Sequence, residues 1–350
     1  MKLDIKLAET SDKKEILDFI GSYWQEDHIY LSHPSLLDYL HLEGESYNIV
    51  VVKNKENNQL LAIHAFIPYE NFDGNFINSS IFLSIWKVAE NINIPGLGLR
   101  TIKFIENNLQ TKPSFIEALG FTKEVSPLYR RLGYKVGKLS HFVLINPSIS
   151  EFNILNKDKL FRFPQMRKNI PDECILKLIS PEDFKDLDED QMNSLTEGVL
   201  PEKSKKFIAS KYLNHPFYDY KYCLCVDKNE AYKMFFVYRK IEINNSNVLR
   251  IVDFMGSEEY LKNIRNQLYK LIVDQISEYM DIYHYGLKND SLEEAGFINR
   301  YKKSGLIIPN HFEPFERINI DIRYAFLLFK QSKHIRLFKG DGDQDRPSLI

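Results

Sequence analysis

Cysteine is scarce in this chain of 350 residues, which contains only Cys174, Cys223 and Cys225. An odd and sparse set of cysteines argues against a disulfide framework and indicates a reducing compartment. The chain also lacks an apolar run of about 18 residues or more, and its N-terminus has no signal-peptide stretch. These absences predict a cytoplasmic protein with no membrane partner.

Net charge is also nearly absent, because 46 Lys and Arg residues against 48 Asp and Glu residues give a formal charge of -2. Without an excess of one sign there is no long-range attraction for nucleic acid, so we predict no such partner and expect local groups to hold any anionic ligand. Apart from Cys223 and Cys225 no pair stands at metal-ligand spacing. We therefore predict no metal, and expect these two cysteines to be buried on one strand.

Aromatic residues are plentiful, with 24 Phe and 20 Tyr, and the length is typical of two domains. Each half shows the same order of predicted elements: a strand, helices, an antiparallel meander, a strand-turn-helix and a strand-helix-strand. This order predicts an α+β fold. We predict an N-terminal domain over residues 1–147, a linker over 148–171, a C-terminal domain over 172–335 and an acidic tail over 336–350. The last strands of the two halves are predicted at 139–145 and 323–329.

A glycine turn follows the apolar strand predicted at residues 81–88 and reads PGLGLRT from Pro95 to Thr101. Glycines let backbone N–H groups approach an anion, and the N-terminus of the following helix adds N–H groups and its dipole. Arg100 falls in the first helical turn, where a cation is favoured only beside an anion. The turn indicates a phosphate or pyrophosphate site, although a tight strand-helix connection explains the glycines equally well. Thr101 in place of a third glycine excludes a Rossmann site, and the absence of G-K-[ST] excludes a P-loop.

Residues 81–146 resemble the core of the GCN5-related N-acetyltransferase (GNAT) superfamily. In that family a strand leads into a Q/R-x-x-G-x-G/A turn that binds the CoA pyrophosphate. Residues 93–98, NIPGLG, match its spacing with Asn93 in place of Gln or Arg, and residues 128–134, LYRRLGY, fit a second family pattern, F-Y-x-x-x-G-F. The resemblance implies two tandem GNAT-like domains, each a mixed, mostly antiparallel sheet flanked by helices. It also implies an N-acyltransferase with acyl-CoA as co-substrate.

The resemblance implies roles for particular residues. The strand backbone would pair with the pantetheine arm and the turn would hold the pyrophosphate. This cofactor-binding set is Leu83, Ser84, Ile85, Trp86, Lys87, Val88, Pro95, Gly96, Leu97, Gly98, Leu99, Arg100 and Thr101. Tyr129 falls where many members place the general acid that protonates the leaving thiolate, although a core aromatic on a short helix is the simpler interpretation.

The corresponding turn of the second half, VDFMGSEE at residues 252–259, has one glycine and two carboxylates in its first helical turn. Carboxylates at a helix N-terminus stabilise the helix and repel phosphate. We therefore predict one CoA site per chain, in the first domain, and acceptor binding in the second.

The whole chain also resembles tandem-GNAT enzymes that N-acylate nucleotide-linked amino sugars for bacterial surface polysaccharides such as the O-antigen of lipopolysaccharide. The segments that carry this resemblance are IWKV…PGLGLR, NHPFYDY (214–220), RIVDFMG (250–256) and RLFKGDGDQDRP (336–347). It implies transfer of an acetyl or short hydroxyacyl group, such as 3-hydroxybutyryl, to a dTDP-linked amino-dideoxy sugar. The residues assigned to that substrate are His215, Tyr220, Asp253, Asp345 and Arg346.

Attack of a sugar amine on a thioester requires a neutral nitrogen, and histidine is suited to move the proton near neutral pH. His28, in a loop-like stretch after the first helix, is the preferred catalytic candidate. His64 lies on a predicted strand and is expected to be a hydrogen-bonded core residue. His215 would either stack on a nucleotide base or cap the helix that ends at Tyr212.

Two other classes remain open. A Fem-like aminoacyl transferase duplicates the same fold, but that class uses aminoacyl-tRNA and usually carries a basic surface and a coiled helical insertion, which this sequence lacks. A degenerate GNAT scaffold would bind ligands without catalysis. The aromatic-rich composition permits a homodimer without requiring one.

Overall fold

Twenty strands and ten α-helices are present in the computed structural model, which describes residues 2–76, 80–108, 113–157, 172–303, 305–329, 334–343 and 345. The strands are β1 (Leu3–Glu9), β2 (Leu42–Glu43), β3 (Ser46–Asn54), β4 (Leu60–Pro68), β5 (Ser80–Val88), β6 (Phe115–Leu119), β7 (Lys135–Lys138), β8 (Ser140–Ile145), β9 (Asn156–Lys157), β10 (Ile175–Ile179), β11 (Val199–Leu200), β12 (Lys221–Val226), β13 (Tyr232–Ile243), β14 (Ser246–Gly256), β15 (Tyr279–Tyr285), β16 (Ile298–Asn299), β17 (Leu306–Ile307), β18 (Arg323–Leu328), β19 (His334–Ile335) and β20 (Leu337–Phe338). The helices are α1 (Lys13–Tyr23), α2 (Ile29–Ser32), α3 (Pro34–His41), α4 (Leu97–Asn108), α5 (Ser126–Arg131), α6 (Pro181–Lys185), α7 (Glu189–Ser194), α8 (Lys205–Ile208), α9 (Arg265–Asp274) and α10 (Asn289–Glu294).

The first sheet has the strand order β1-β3-β4-β5-β6-β18-β7, with β2 paired to β3. The meander β1-β3-β4-β5 is antiparallel, whereas β5 and β6 are parallel. The middle strands β3 and β4 are buried along almost their whole length, which explains their nearly continuous apolar sequence. On one face of this sheet, Ile105 of α4 and Tyr129 of α5 join Leu83 and Ile116 in a hydrophobic core.

The second sheet has the equivalent order β10-β12-β13-β14-β15-β8-β16, with β20 paired to β15. β14 and β15 are its parallel pair. Cys223 and Cys225 are fully buried on β12, as predicted, and share a core with Leu268 of α9. Both sheets are mixed, mostly antiparallel and flanked by helices, so the predicted α+β class is confirmed.

A buried group of charges crosses the second sheet. The Arg250 guanidinium donates to both oxygens of Asp281 at 2.9 and 2.7 Å, and His141 Nε2 lies 2.9 Å from Asp281 Oδ2. All three side chains are fully buried, so each depends on its partners for the interactions that water would otherwise supply. Burial lowers the pKa of His141 to about 4, although Asp281 acts in the opposite direction.

Each sheet takes one strand from the other half of the chain. β18 lies between β6 and β7, and β8 lies between β15 and β16. The predicted boundaries, which keep the strand at 139–145 in the first domain and that at 323–329 in the second, therefore differ from the structure. Only Leu139 separates β7 from β8, and one residue is too short a loop for β8 to fold back beside β7.

The chain forms two compact units. The first consists of the chain up to Gly137 together with segments that begin at Arg323 and at Gly342, and the second consists of Lys138–Ile322 and a segment that ends at Asp341. The predicted tail over 336–350 is thus divided between the two units. Most of the predicted linker, residues 158–171, lies outside the described residues.

Candidate active site

Strand β5 loses its parallel neighbour halfway along its length. It pairs with β6 only from Ser80 to Leu83, but it continues beside β4 as far as Val88, opposite Ala62. Within the described residues, no other strand replaces β6 along residues 84–88. The backbone N–H and C=O groups on this edge are therefore open to an extended ligand, which can pair with them as an added strand would.

The predicted glycine turn and helix follow this open edge. Gly96 adopts a φ of +73°, and α4 begins at the next residue. The Arg100 N–H donates to the Gly96 carbonyl at 3.1 Å, whereas no acceptor in the described part of the chain meets the N–H groups of Gly98 and Leu99. Two free amides at the N-terminus of a 12-residue helix form a site for an anion.

The two glycines of the turn are required for different reasons. At Gly96 the backbone is left-handed, and a Cβ would meet nothing within 4 Å. At Gly98 the backbone is ordinary, but a Cβ would lie 3.0 Å from Cζ2 of the Trp86 indole. Gly96 therefore sets the chain direction beside open space, and Gly98 lets the first turn of α4 approach β5 closely.

Positive charge lies beside the turn. Arg100 and Lys103 are exposed, one helical turn apart, and both line a surface groove of about 480 Å³ whose other walls are Ile5, Leu99, Phe104 and Asn107. The predicted first-turn position of Arg100 is confirmed, and the groove extends the anion site along the outside of α4.

His64 lies beneath the turn as the hydrogen-bonded core residue that its strand position predicts. Thr101 Oγ1 donates to the Gly98 carbonyl at 2.7 Å and lies 3.0 Å from His64 Nδ1, so it accepts from that nitrogen. His64 therefore carries its proton on Nδ1, and burial lowers its pKa to about 3. Its ring stacks on Trp86, and among the described residues neither His64 Nε2 nor Trp86 Nε1 has a hydrogen-bond partner. The Thr101 hydroxyl is thus used inside the protein, and the assignment of Thr101 to the cofactor stays a prediction.

Tyr129 lies next to the same indole. Its ring centroid is 6.0 Å from that of Trp86, and it also contacts Phe121 and Tyr134. Both sequence interpretations of Tyr129 fit this position, because the side chain is part of the core and yet stands beside the open end of β5. Burial raises the pKa of Tyr129, so the phenol keeps its proton at neutral pH.

Sequence reasoning missed a carboxylate on the other face of β5. Asp343, which is 3% exposed, accepts a hydrogen bond from Ser84 Oγ at 2.5 Å. The preceding Gly342 presses its backbone on Phe82, since a Cβ there would lie 2.1 Å from the ring. The alternation of Gly and Asp in GDGD was the available signal. Of the two tail residues assigned to the substrate, Asp345 is also buried, and Arg346 lies outside the described residues.

No model of a known protein family matches the sequence, and no curated protein matches it. Solved structures do resemble it. A GCN5-related N-acetyltransferase from Anabaena variabilis has a TM-score of 0.54 at 11% identity, over 94% of this chain and 73% of that one. A protein of unknown function from Enterococcus faecalis, described as a probable N-acyltransferase, has a TM-score of 0.55 at 13% identity, over 92% and 72% of the two chains. The chain has the GNAT fold.

In this fold, β5 and the start of α4 bring the predicted cofactor residues together.

His28 lies elsewhere, because it caps α2. Its Nδ1 accepts the Tyr30 N–H at 3.2 Å, and its ring lies edge-on to the Tyr30 ring. That nitrogen is therefore engaged, and the catalytic role of His28 stays a prediction.

The residues predicted to bind the acceptor in the second unit form an aromatic cluster. His215 Nδ1 accepts the N–H groups of Phe217 and Tyr218 at 3.1 and 2.9 Å, and its ring stacks on Tyr218. Its side chain caps this turn, and its backbone N–H donates to the Tyr212 carbonyl at 3.4 Å. Tyr220 lies edge-on to His215 and contacts Tyr212.

Asp253, the third of these residues, is fully buried and engaged inside the second unit. Its Oδ1 lies 2.6 Å from Lys203 Nζ, and its Oδ2 accepts the Tyr212 hydroxyl at 2.8 Å. Lys203 also lies 2.6 Å from Asp341 Oδ1. Burial alone lowers the pKa of Lys203, but the two carboxylates outweigh it and raise that pKa. Asp253 therefore holds Lys203 and Tyr212 in place inside the second unit, and its role toward the substrate stays a prediction.

The second GNAT-like sheet opens at the equivalent place, but the chain itself fills the gap. β14 pairs with β15 only from Leu249 to Ile251. Beyond that, β20 pairs with the end of β15, and the Gly340 N–H donates to the Val252 carbonyl at 2.7 Å. Glu258, at the start of a short 3-10 helix that spans Glu258–Ile264, is held by Arg336 at 2.8 Å.

No helix in the described residues is both long and apolar enough to cross a membrane. Over the same residues, no three or more His, Cys, Asp and Glu side chains are grouped so as to hold a metal ion.

Proposed function

We propose that the chain is an acyl-CoA-dependent N-acyltransferase. The observation that carries this proposal is the open edge of β5, which leads directly to the free amides of Gly98 and Leu99. CoA has the matching chemistry, because its pantetheine arm carries amide groups that can pair with a strand edge and its pyrophosphate suits a helix N-terminus. The cations Arg100 and Lys103 favour the phosphates of the nucleotide end.

Two contacts support the proposed path of the cofactor. Trp86 touches the turn at Gly98 and lies near Tyr129 on the other side. A pyrophosphate at Gly98 therefore directs the pantetheine arm past Trp86, and its sulfur toward Tyr129. The Tyr129 phenol is protonated at neutral pH, so it is the group placed to donate a proton to the leaving thiolate, although burial raises its pKa and makes that donation harder.

The second unit supports one CoA site per chain. Its gap between β14 and β15 holds β20, and the carboxylate of Glu258, paired with Arg336, occupies the position where the pyrophosphate would lie. In this proposal the first GNAT-like domain binds the donor and the second binds the acceptor.

For the acceptor we propose a nucleotide-linked amino sugar, with dTDP as carrier and an acetyl or short hydroxyacyl group transferred. This part rests on the sequence resemblance and on the cluster of His215 and Tyr220, whose rings suit a nucleotide base. A pathway of surface-polysaccharide synthesis in the cytoplasm is the corresponding setting.

Calorimetric titration with CoA tests the donor half of the proposal. We expect one CoA per chain and a Tm that rises with CoA concentration, as binding to the folded state requires. Thermal shift with dTDP and UDP tests the acceptor half, and we expect stabilisation by dTDP. Protein that binds no CoA would refute the proposed function, and binding of two per chain would refute the assignment of the units.

A further inference from the structure

We propose that His64 and Thr101 act on the cofactor without touching it, by fixing the direction of the Leu99 N–H at the pyrophosphate site. This inference rests on the proposed function and deepens it, since it names the residues that position the anion-binding amides. All the groups involved lie in the first compact unit. Thr101 is then a positioning residue, whereas the sequence resemblance implies direct contact with the cofactor.

The link between Thr101 and the anion site is the peptide bond that joins Gly98 to Leu99. This bond is trans, so its C=O and N–H bonds lie in one plane and point in opposite directions. Thr101 Oγ1 donates to the Gly98 carbonyl at 2.7 Å. That hydrogen bond therefore holds the Leu99 N–H on the opposite side, where no acceptor in the described part of the chain meets it.

His64 keeps the Thr101 hydroxyl in this orientation. A hydroxyl has a single proton and rotates to suit its neighbours. Because His64 Nδ1 donates to Thr101 Oγ1 across 3.0 Å, the hydroxyl proton is left for the Gly98 carbonyl. His64 Nε2 has no hydrogen-bond partner among the described residues, so nothing there favours moving the ring proton to Nε2. The two bonds form a relay that runs from His64 through Thr101 to Gly98.

The relay starts from the strand pair that also provides the open edge. His64 of β4 pairs with Trp86 of β5, and the two rings stack with their centroids 5.1 Å apart. The Trp86 indole also lies against Gly98, where an added Cβ would come within 3.0 Å of it. The turn is therefore held in a fixed position relative to the edge of β5. A cofactor that pairs with this edge and places its pyrophosphate at the turn requires that fixed spacing.

Packing alone does not explain a polar pair at this position. Thr101 is fully buried, and the other buried residues of α4, among the side chains that are described, are Leu97, Ile102 and Ile105. Replacing both partners of a buried hydrogen bond by apolar groups of the same shape is nearly neutral for stability. An apolar pair would therefore pack as well as His64 and Thr101, but it would not determine which way the peptide points.

The test compares Thr101→Val, which keeps the shape of the side chain, with Thr101→Ser, which keeps the hydroxyl. Calorimetric titration should show CoA binding about tenfold weaker in Thr101→Val and within about threefold of the wild type in Thr101→Ser, because a misdirected N–H loses a hydrogen bond to a charged group. His64→Leu should weaken binding as Thr101→Val does. His64→Asn should restore most of it, since its amide nitrogen takes the place of Nδ1. The double variant Thr101→Val with His64→Leu should bind no more weakly than either single variant, because both break the same relay.

Thr196→Val in the second unit is the matched control. Thr196 is also buried, and its Oγ1 donates to the Lys203 carbonyl at 2.7 Å. This variant loses an equivalent hydrogen bond far from the turn in sequence, so it should lower the Tm as much as Thr101→Val does and leave the CoA Kd unchanged.

Nuclear magnetic resonance of protein with 15N-labelled leucine observes the amide itself. Addition of CoA, or of inorganic pyrophosphate alone, should move the Leu99 amide proton downfield in the wild type and in Thr101→Ser, and much less in Thr101→Val. If Thr101→Val does not fold, the comparison of His64→Leu with His64→Asn applies the same test.

Four results would overturn the inference. They are wild-type CoA affinity in both Thr101→Val and His64→Leu, an equal loss of affinity in Thr101→Ser and Thr101→Val, an equal loss in Thr196→Val, and a Leu99 amide that shifts equally in the wild type and Thr101→Val. Each of them leaves the proposed function intact. Wild-type protein that binds no CoA would instead refute the proposed function itself.

Discussion

Replacing Gly96 by aspartate or asparagine changes the charge at the glycine turn while preserving its shape. A Cβ at this position meets nothing within 4 Å, and φ is +73°. Asn and Asp are the residues besides glycine that best tolerate this region, so both variants should fold with a Tm within about 2 °C of the wild type. The two side chains are nearly isosteric, so the pair isolates the effect of one negative charge.

The expected effect on CoA affinity follows from Coulomb's law. A carboxylate about 5 Å from one phosphate charge interacts by about 3 kcal/mol at an effective dielectric of about 20, and by about 0.8 kcal/mol in bulk water. These limits correspond to about 150-fold and about fourfold in Kd. Because Gly96 is exposed, we expect Gly96→Asp to bind CoA about tenfold more weakly than Gly96→Asn.

Calorimetric titration of both variants at about 0.05 and 0.5 M salt measures this difference. The gap between their Kd values should shrink at the higher salt, because screening weakens an exposed charge pair. Equal affinity of the two variants at low salt would refute a pyrophosphate at this turn, even if both bind CoA.

Two further predictions concern stability. Lys203→Met leaves the buried carboxylates of Asp253 and Asp341 without their cation, so it should lower the free energy of unfolding by about 3–5 kcal/mol in urea titrations; a loss below about 1 kcal/mol would contradict the ion-pair account. The folded-state pKa values of His64, about 3, and His141, about 4, lie below the ordinary value of 6.5 because both rings are buried. Below pH 6.5 the unfolded state therefore binds more protons than the folded state. The free energy of unfolding should then fall by about 1.4 kcal/mol per pH unit for each histidine as the pH drops from 6.5 toward 4. Unfolding curves at pH 7 and 5.5 that coincide would contradict this.

Local structure was predictable from the sequence wherever one periodicity or one turn governed it. The strand before the glycine turn, the turn itself and α4 follow from an apolar run, two glycines and helical spacing, and all three are present. The different reasons for glycine at positions 96 and 98 were not predictable, because the second depends on Trp86, which lies twelve residues away on another element.

Contacts between residues that are distant in the sequence could not be predicted from it. Asp343 and Ser84 are 259 residues apart, and no pattern in either segment indicates the other. Asp253 was assigned to the substrate by the sequence resemblance, whereas in the structure Lys203 and Tyr212 hold its carboxylate in the core. An acidic side chain looks the same in a sequence whether its counter-charge is a ligand or a lysine.

The exchange of β8 and β18 has a consequence for synthesis on the ribosome. An N-terminal domain usually folds first, while the rest of the chain is still being made. Here the first sheet lacks the strand between β6 and β7 until residues 323–328 have emerged, and until then β6 has a free edge. The sheet of the half that is translated first is therefore completed almost last. A fragment that ends near residue 147 would contain β8 without the sheet to which it belongs, and it would lack β18. We expect such fragments to aggregate. We expect the intact chain to fold cooperatively only after its full length has been synthesised.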